Sequence, residues 1–122
     1  MDAYRDCTNH DGNLAKVPDH VIHNLLIETE MVTAPVYIGL NDVVMEGMFK
    51  WIGDEEELGA FRNWGPNQPG DEFYHQDEDC VEMKVSGDWN DIKCEHVFPP
   101  VCETARKTRG NKITPPFYIL TL

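Results

Sequence analysis

Val36-Tyr37-Ile38-Gly39-Leu40 is a compact apolar run, short enough and rich enough in β-branched and aromatic side chains to predict a strand. Phe49-Lys50-Trp51-Ile52 is a second such run, stopped by Gly53-Asp54. Cys80 to Val85 and Pro100 to Glu103 have the same character, with Trp89, Asn90 and Asp91 between them. Upstream, two helices are expected. A short one covers Tyr4 to Asn9 and gives way to the turn signal Asp11-Gly12-Asn13. The second starts at Asp19, an acceptable N-cap just after Pro18. Val21, Ile22, Leu25 and Leu26 fall on one face of it, and Thr33-Ala34-Pro35 ends it. Between the second and third strands, from Phe61 to Asp79, regular structure is hard to find. Gly65, Pro66, Asn67, Pro69 and Gly70 all favour turns. A loop of that length is uncommon in a compact domain and is usually functional or disordered.

The 122 residues suit one domain with a single core. An apolar fraction of 41% and three tryptophans belong to a globule rather than a disordered tail. The charge is lopsided: 22 acidic against 10 basic residues, a formal net charge of −12. That argues against nucleic acid, which needs a basic face. The acids are also unevenly spread. Asp71, Glu72, Asp77, Glu78, Asp79, Glu82, Asp88 and Asp91 crowd together, with Lys84 the only base among them. Such crowding costs self-repulsion, which a divalent cation would relieve.

Four cysteines, Cys7, Cys80, Cys94 and Cys102, suggest a disulfide framework with three pairings open, and hence an oxidising compartment. A zinc site is the competing reading, but no tight Cys-x-x-Cys pair is present. His20 and His23 stand three apart on the second helix, with no third or fourth ligand in view. The first residues carry no apolar leader. The favoured expectation is a piece of a larger secreted protein; the other is a cytosolic chain with reduced thiols. No run is long or apolar enough to span a membrane, so insertion is not expected. Nor is catalysis: no nucleophile, base and acid stand out in order, and there is no phosphate-cradling glycine loop and no open zinc site. After Cys102 the composition changes to a basic stretch (Arg106, Lys107, Arg109, Lys112), followed by Thr114-Pro115-Pro116 and the apolar Phe117 to Leu122.

Taken in order, these segments resemble the C-type lectin family. Val36-Tyr37-Ile38-Gly39-Leu40 is similar to its Trp-Ile-Gly-Leu core strand, and Glu46-Gly47-Met48-Phe49-Lys50-Trp51 to its next segment. Asn63-Trp64 precedes the loop. Gln68-Pro69 stands where the family carries Glu-Pro-Asn or Gln-Pro-Asp. Glu78-Asp79-Cys80-Val81 and Trp89-Asn90-Asp91 complete the pattern. The resemblance implies an α+β fold of two helices, short antiparallel sheets and a long calcium-binding loop over residues 1–103, with 104–122 a tail of unknown structure. It implies the disulfides Cys7–Cys102 and Cys80–Cys94. It also marks two departures. The family's opening strand, which pairs with the last strand, is missing, and this leaves an unpaired edge. Phe117 to Leu122 has the propensity to cover that edge, although an unstructured tail is the plainer reading.

What the resemblance implies for chemistry is Ca²⁺ and a sugar. Gln68, Glu78, Asn90 and Asp91 would form the principal calcium and sugar site. Asp42, Glu46, Asp71 and Asp79 would form an auxiliary calcium site that ties the loop to the body of the domain. All supply the hard oxygens that Ca²⁺ takes in sets of six to eight. Trp89 is expected in the core, Phe73 and Tyr74 are candidates to stack on the sugar, and His75 is a plain loop residue. Gln68 is the galactose-type choice. Gly70, the second departure, offers no side chain where Asn or Asp should read a hydroxyl. The expected partner is a glycan, galactose-type before mannose-type, on a secreted or extracellular protein. The alternative is a protein-binding module that keeps only structural calcium.

Overall fold

The computed structural model describes residues 2–53, 55–69, 79–95, 97–104, 108–109, 112–113 and 117–120. Its elements run α1 (Asp2–Asn9), β1 (Asn13–Leu14), α2 (His20–Glu28), β2 (Val36–Asn41), β3 (Lys50–Trp51), β4 (Glu56–Glu57), β5 (Cys80–Met83), β6 (Trp89–Ile92), β7 (Val101–Glu103), β8 (Thr108–Arg109), β9 (Lys112–Ile113) and β10 (Phe117–Ile119). A five-stranded sheet has the order β4-β3-β2-β5-β6, a three-stranded sheet the order β1-β7-β10, and β8 pairs with β9. Every described pairing between named strands is antiparallel. This is the α+β architecture expected from the sequence.

Both helices form near their predicted places. In α2, Asp19 caps the start by accepting the Ile22 N–H at 3.0 Å. Ile22 and Leu26 are buried and Leu25 is half-buried, but Val21 turns to solvent, 74% exposed. The helix also stops sooner than expected. Thr29 sends both its N–H and its hydroxyl back to the Leu25 carbonyl, at 3.2 and 2.7 Å. Glu30 then takes a left-handed backbone, φ 55°. His20 and His23 pack their rings on Phe61, with centroids 4.5 and 5.7 Å away. A side chain at Gly87 would strike the His23 ring, and its φ of +94° is itself one that glycine tolerates best.

All six residues of β2 are buried, as are all four of β5, so the core is built on this central pair. Continuous apolar runs are the expected signature of strands covered on both faces. Trp89, buried completely, meets Trp51, Phe61 and Trp64 edge-on, with centroids 5.7–5.9 Å apart. Its core role is as expected; that Trp89 to Ile92 form a strand was not read from the sequence. The disulfides are Cys7–Cys102 and Cys80–Cys94, spanning 95 and 14 positions. By the chain-entropy model they stabilise the fold by about 4–5 and about 3 kcal/mol.

The tail corrects the plainer reading. β1 takes one edge of β7 and β10 takes the other, with Phe117, Tyr118 and Ile119 opposite Glu103, Cys102 and Val101. Phe117 is buried in the main core, and the Tyr118 hydroxyl donates to the His10 carbonyl at 2.8 Å. Gly12 has no side chain because one would collide with that hydroxyl and with the Glu103 carbonyl.

Candidate metal and sugar site

The turn after β2 is tied by its own polar groups. Asn41 Oδ1 accepts the Val43 N–H at 3.2 Å, and the Met45 carbonyl accepts the Met48 N–H at 3.0 Å. Gly47 adopts φ 83° and donates its N–H to Asp42 Oδ2 at 2.8 Å. On the other side, the Asp42 N–H donates to the Asp79 carbonyl at 3.1 Å, which fixes this turn against the start of β5.

Three carboxylates converge as a result. One oxygen from each of Asp42, Glu46 and Asp79 lies within 4.8 Å of the others. Asp42 is buried and Glu46 exposed, so the cluster opens to solvent on the Glu46 side. Asp42 Oδ1 and Asp79 Oδ1 are buried with no hydrogen-bond donor among the described residues. Burial pushes Asp42 up to about 6; the Asp79 charge adds to this and the Gly47 N–H opposes it. Glu46 rises to about 7. Desolvation at its carboxyl end is the first cause even though the residue is mostly exposed, followed by hydrogen bonding to Asp79 and the charges of Asp42, Asp79 and Asp91. Buried carboxylates without donors are costly. The set is all hard oxygen, the chemistry of Ca²⁺ and not of zinc.

These are three of the four residues expected at the auxiliary site. The fourth, Asp71, lies outside the described residues, as do Gly70, Phe73, Tyr74, His75 and Glu78. Of the expected principal set, Gln68, Asn90 and Asp91 are described. Gln68 Oε1 is buried without a hydrogen-bond partner among the described residues. The turn that carries it is anchored to β6: the Gln68 N–H donates to the Gly65 carbonyl at 3.1 Å, and the Gly65 N–H to the Trp89 carbonyl at 2.9 Å. The Gln68–Pro69 peptide is cis. Asp91 is buried, and its charge is felt at Glu46.

Glu82 was missed as a functional residue, although it was counted among the crowded acids. It is buried on β5, with Tyr37 of β2 on one side and Asn90 of β6 on the other in the strand register. Asn90 donates its amide N–H to Glu82 Oε1 at 2.9 Å. That bond aims the nitrogen inward and leaves the Asn90 carbonyl oxygen for another partner. Burial pushes the Tyr37 hydroxyl up to about 12, helped by the charges of Glu82 and Glu95. The available signal was an acid in the middle of the run Cys80-Val81-Glu82-Met83, eight positions before Asn90.

Comparison with known proteins agrees with this architecture. The model of the lectin C-type domain matches residues 1–104. Collectin-10 of Gallus gallus is 34% identical over 110 residues, covering 88% of this chain and 39% of the relative, so the chain spans about two fifths of that protein. The carbohydrate-recognition domain of the human scavenger receptor C-type lectin superposes with a TM-score of 0.73 at 26% identity, covering 83% of this chain and 78% of that one. The cow CD23 carbohydrate-recognition domain, solved in the presence of a GlcNAc2Man3 oligosaccharide, gives 0.66 at 35% identity, covering 75% and 67%. With its two disulfides, its helix pair and its acidic turn in this register, the chain belongs to the C-type lectin domain family, whose members are generally carbohydrate-binding and not enzymes.

Proposed function

We propose that this chain is a calcium-dependent carbohydrate-binding domain of a secreted or extracellular protein, with a weak preference for galactose-type sugars. The observation that carries the reading is the convergence of Asp42, Glu46 and Asp79 with two buried oxygens that no donor among the described residues satisfies. In this reading Asp42, Glu46, Asp71 and Asp79 hold the auxiliary cation, and Gln68, Glu78, Asn90 and Asp91 hold the principal one. Bound Ca²⁺ would supply the positive charge that these oxygens lack and open positions for two neighbouring sugar hydroxyls. The chain's own part is to present the oxygens already desolvated and aimed. Glu82 holds the Asn90 amide, and the anchored turn holds Gln68. Phe73 and Tyr74 are assigned to the apolar face of galactose, where a flat aromatic contributes contact beyond the hydroxyl bonds. Affinity for calcium is expected near 10⁻⁴–10⁻³ M, as in other extracellular modules.

Gly70 favours a second reading, a protein-binding module with structural Ca²⁺ and no sugar. A glycan array run in Ca²⁺ and in EDTA separates the two. Galactose-type retention that EDTA abolishes supports the first. Calcium heat by calorimetry with no glycan retained assigns the second. No calcium heat at millimolar concentration removes both.

A further inference from the structure

Beside the Gln68–Pro69 turn lies a cleft of about 320 Å³, lined by none of the described residues of either candidate cation set. That volume falls within the roughly 300–1,000 Å³ of small-ligand sites, at the lower end. Phe49 and Trp64 give it an aromatic wall, their rings edge to face with centroids 4.9 Å apart. The wall is fixed from behind: Trp64 bridges to Trp89, and the Trp89 N–H donates to the Asn63 carbonyl at 2.8 Å. Met48 and Leu58 add aliphatic surface, and Lys50, Glu57 and Arg62 add charge of both signs. Lys50 and Glu57 stand opposite each other in the β3–β4 register, yet they form no ion pair among the described residues. Opposite charges so placed ordinarily attract and pair. Here both heads are left for another partner. The Arg62 Nε–H donates to the Gly59 carbonyl at 3.3 Å, which steadies the guanidinium and leaves its terminal nitrogens for other acceptors.

We propose that this cleft is a second sugar subsite, which takes a neutral residue of an oligosaccharide whose adjoining residue sits at the Gln68 turn. The inference deepens the carbohydrate reading of the previous section and rests on it. Pro69 lines the cleft and directly follows Gln68, which puts the two places side by side. The chemistry of the lining selects a neutral sugar ring. A sugar hydroxyl both donates and accepts, so Lys50 and Arg62 serve it as donors and Glu57 as acceptor. The apolar C–H face of the ring matches the indole of Trp64, with Met48 and Leu58 beside it. An acidic residue would meet Glu57 and a chain of net charge −12. A wholly apolar ligand would take three charged groups out of water with nothing to pair them. The space suits one ring and not a chain of them.

The test is calorimetry of the whole chain in Ca²⁺ with matched sugars: methyl galactoside against N-acetyllactosamine, and methyl mannoside against mannobiose. In the pair whose single sugar binds, the disaccharide binds tighter by on the order of tenfold, the worth of one or two hydrogen bonds. Glu57→Ala/Arg62→Ala, altered only at exposed side chains, keeps the affinity for the single sugar and loses the gain. Met48→Trp, which fills the cleft from an exposed position, does the same. If the single sugar binds and its disaccharide binds no tighter, the subsite is overturned and the carbohydrate reading stands. The subsite also falls if both variants keep the gain. Tighter binding of N-acetyllactosamine sulfated on its N-acetylglucosamine than of the neutral form overturns the assignment to a neutral residue. Calcium heat with no sugar bound removes the carbohydrate reading, and the subsite with it.

Discussion

Asp42, just past the end of β2, and Glu82, inside the neighbouring β5, are both buried acids, and they are treated in opposite ways. Glu82 sits between Tyr37 and Asn90 in the strand register and receives the Asn90 amide. Asp42 receives one backbone N–H and is otherwise surrounded by acids, with an oxygen that has no donor among the described residues. One carboxylate is satisfied by the protein and positions a neighbour. The other is left without a donor among the described residues. Burial alone therefore does not mark a ligand site. Burial in company, without a described donor, is what sets the proposed cation site apart.

The largest effect expected from this contrast is on calcium. Asp42→Ala or Glu46→Ala should weaken the auxiliary site by on the order of a hundredfold or more, at or beyond the top of the roughly 10–100-fold range seen when only a supporting partner is lost. Calcium calorimetry checks it; an unchanged isotherm breaks the distinction. Next comes stability without the cation. Glu82→Ala removes a satisfied acid and strands the Asn90 amide, which should cost about 1–3 kcal/mol. Asp42→Asn relieves repulsion and should cost nothing or stabilise. Denaturant melts in EDTA compare the two, and equal destabilisation would show the acids to be equivalent.

The pH dependence sharpens the same point. Asp42 and Glu46 stand at about 6 and about 7, above their ordinary values of 3.8 and 4.5. Between those limits the folded state binds more protons than the unfolded one. Their contribution to stability is thus fully present below about pH 4 and is lost as pH rises through 6 and 7. In saturating Ca²⁺ the sign reverses: the cation needs the carboxylates ionised, so affinity falls as pH drops toward about 5. Melting temperatures from pH 4 to 8, with and without calcium, should slope in opposite directions; parallel slopes would count against a cation at this cluster.

The smallest expected effect is on sugar. Gly70→Asp should raise galactose affinity by several-fold, about 1 kcal/mol for one added hydrogen bond. Tyr74→Ala should lower galactose affinity and leave calcium affinity unchanged. Better binding of mannose than of galactose by either protein would remove the galactose assignment.

The runs that became β2, β3, β5 and β7, the Asp19 cap, the burial of Trp89 and the grouping of Asp42, Glu46 and Asp79 could all be read from the sequence. These depend on local propensity, or on motifs whose residues occupy set places in a familiar fold. Glu82 was legible only as an acid in a strand. Its role depends on which residue the β5–β6 register sets beside it, and that is a non-local pairing. Val21 and the end of α2 were misread because four apolar residues in six positions overfill one helical face, and packing chose Ile22, Leu25 and Leu26. The fate of the tail was decided only by the tertiary structure. Phe117 to Ile119 have strand propensity in any context, but propensity names no partner. The partner is the edge of β7 opposite β1, made to fit by Gly12, which leaves room for the Tyr118 ring.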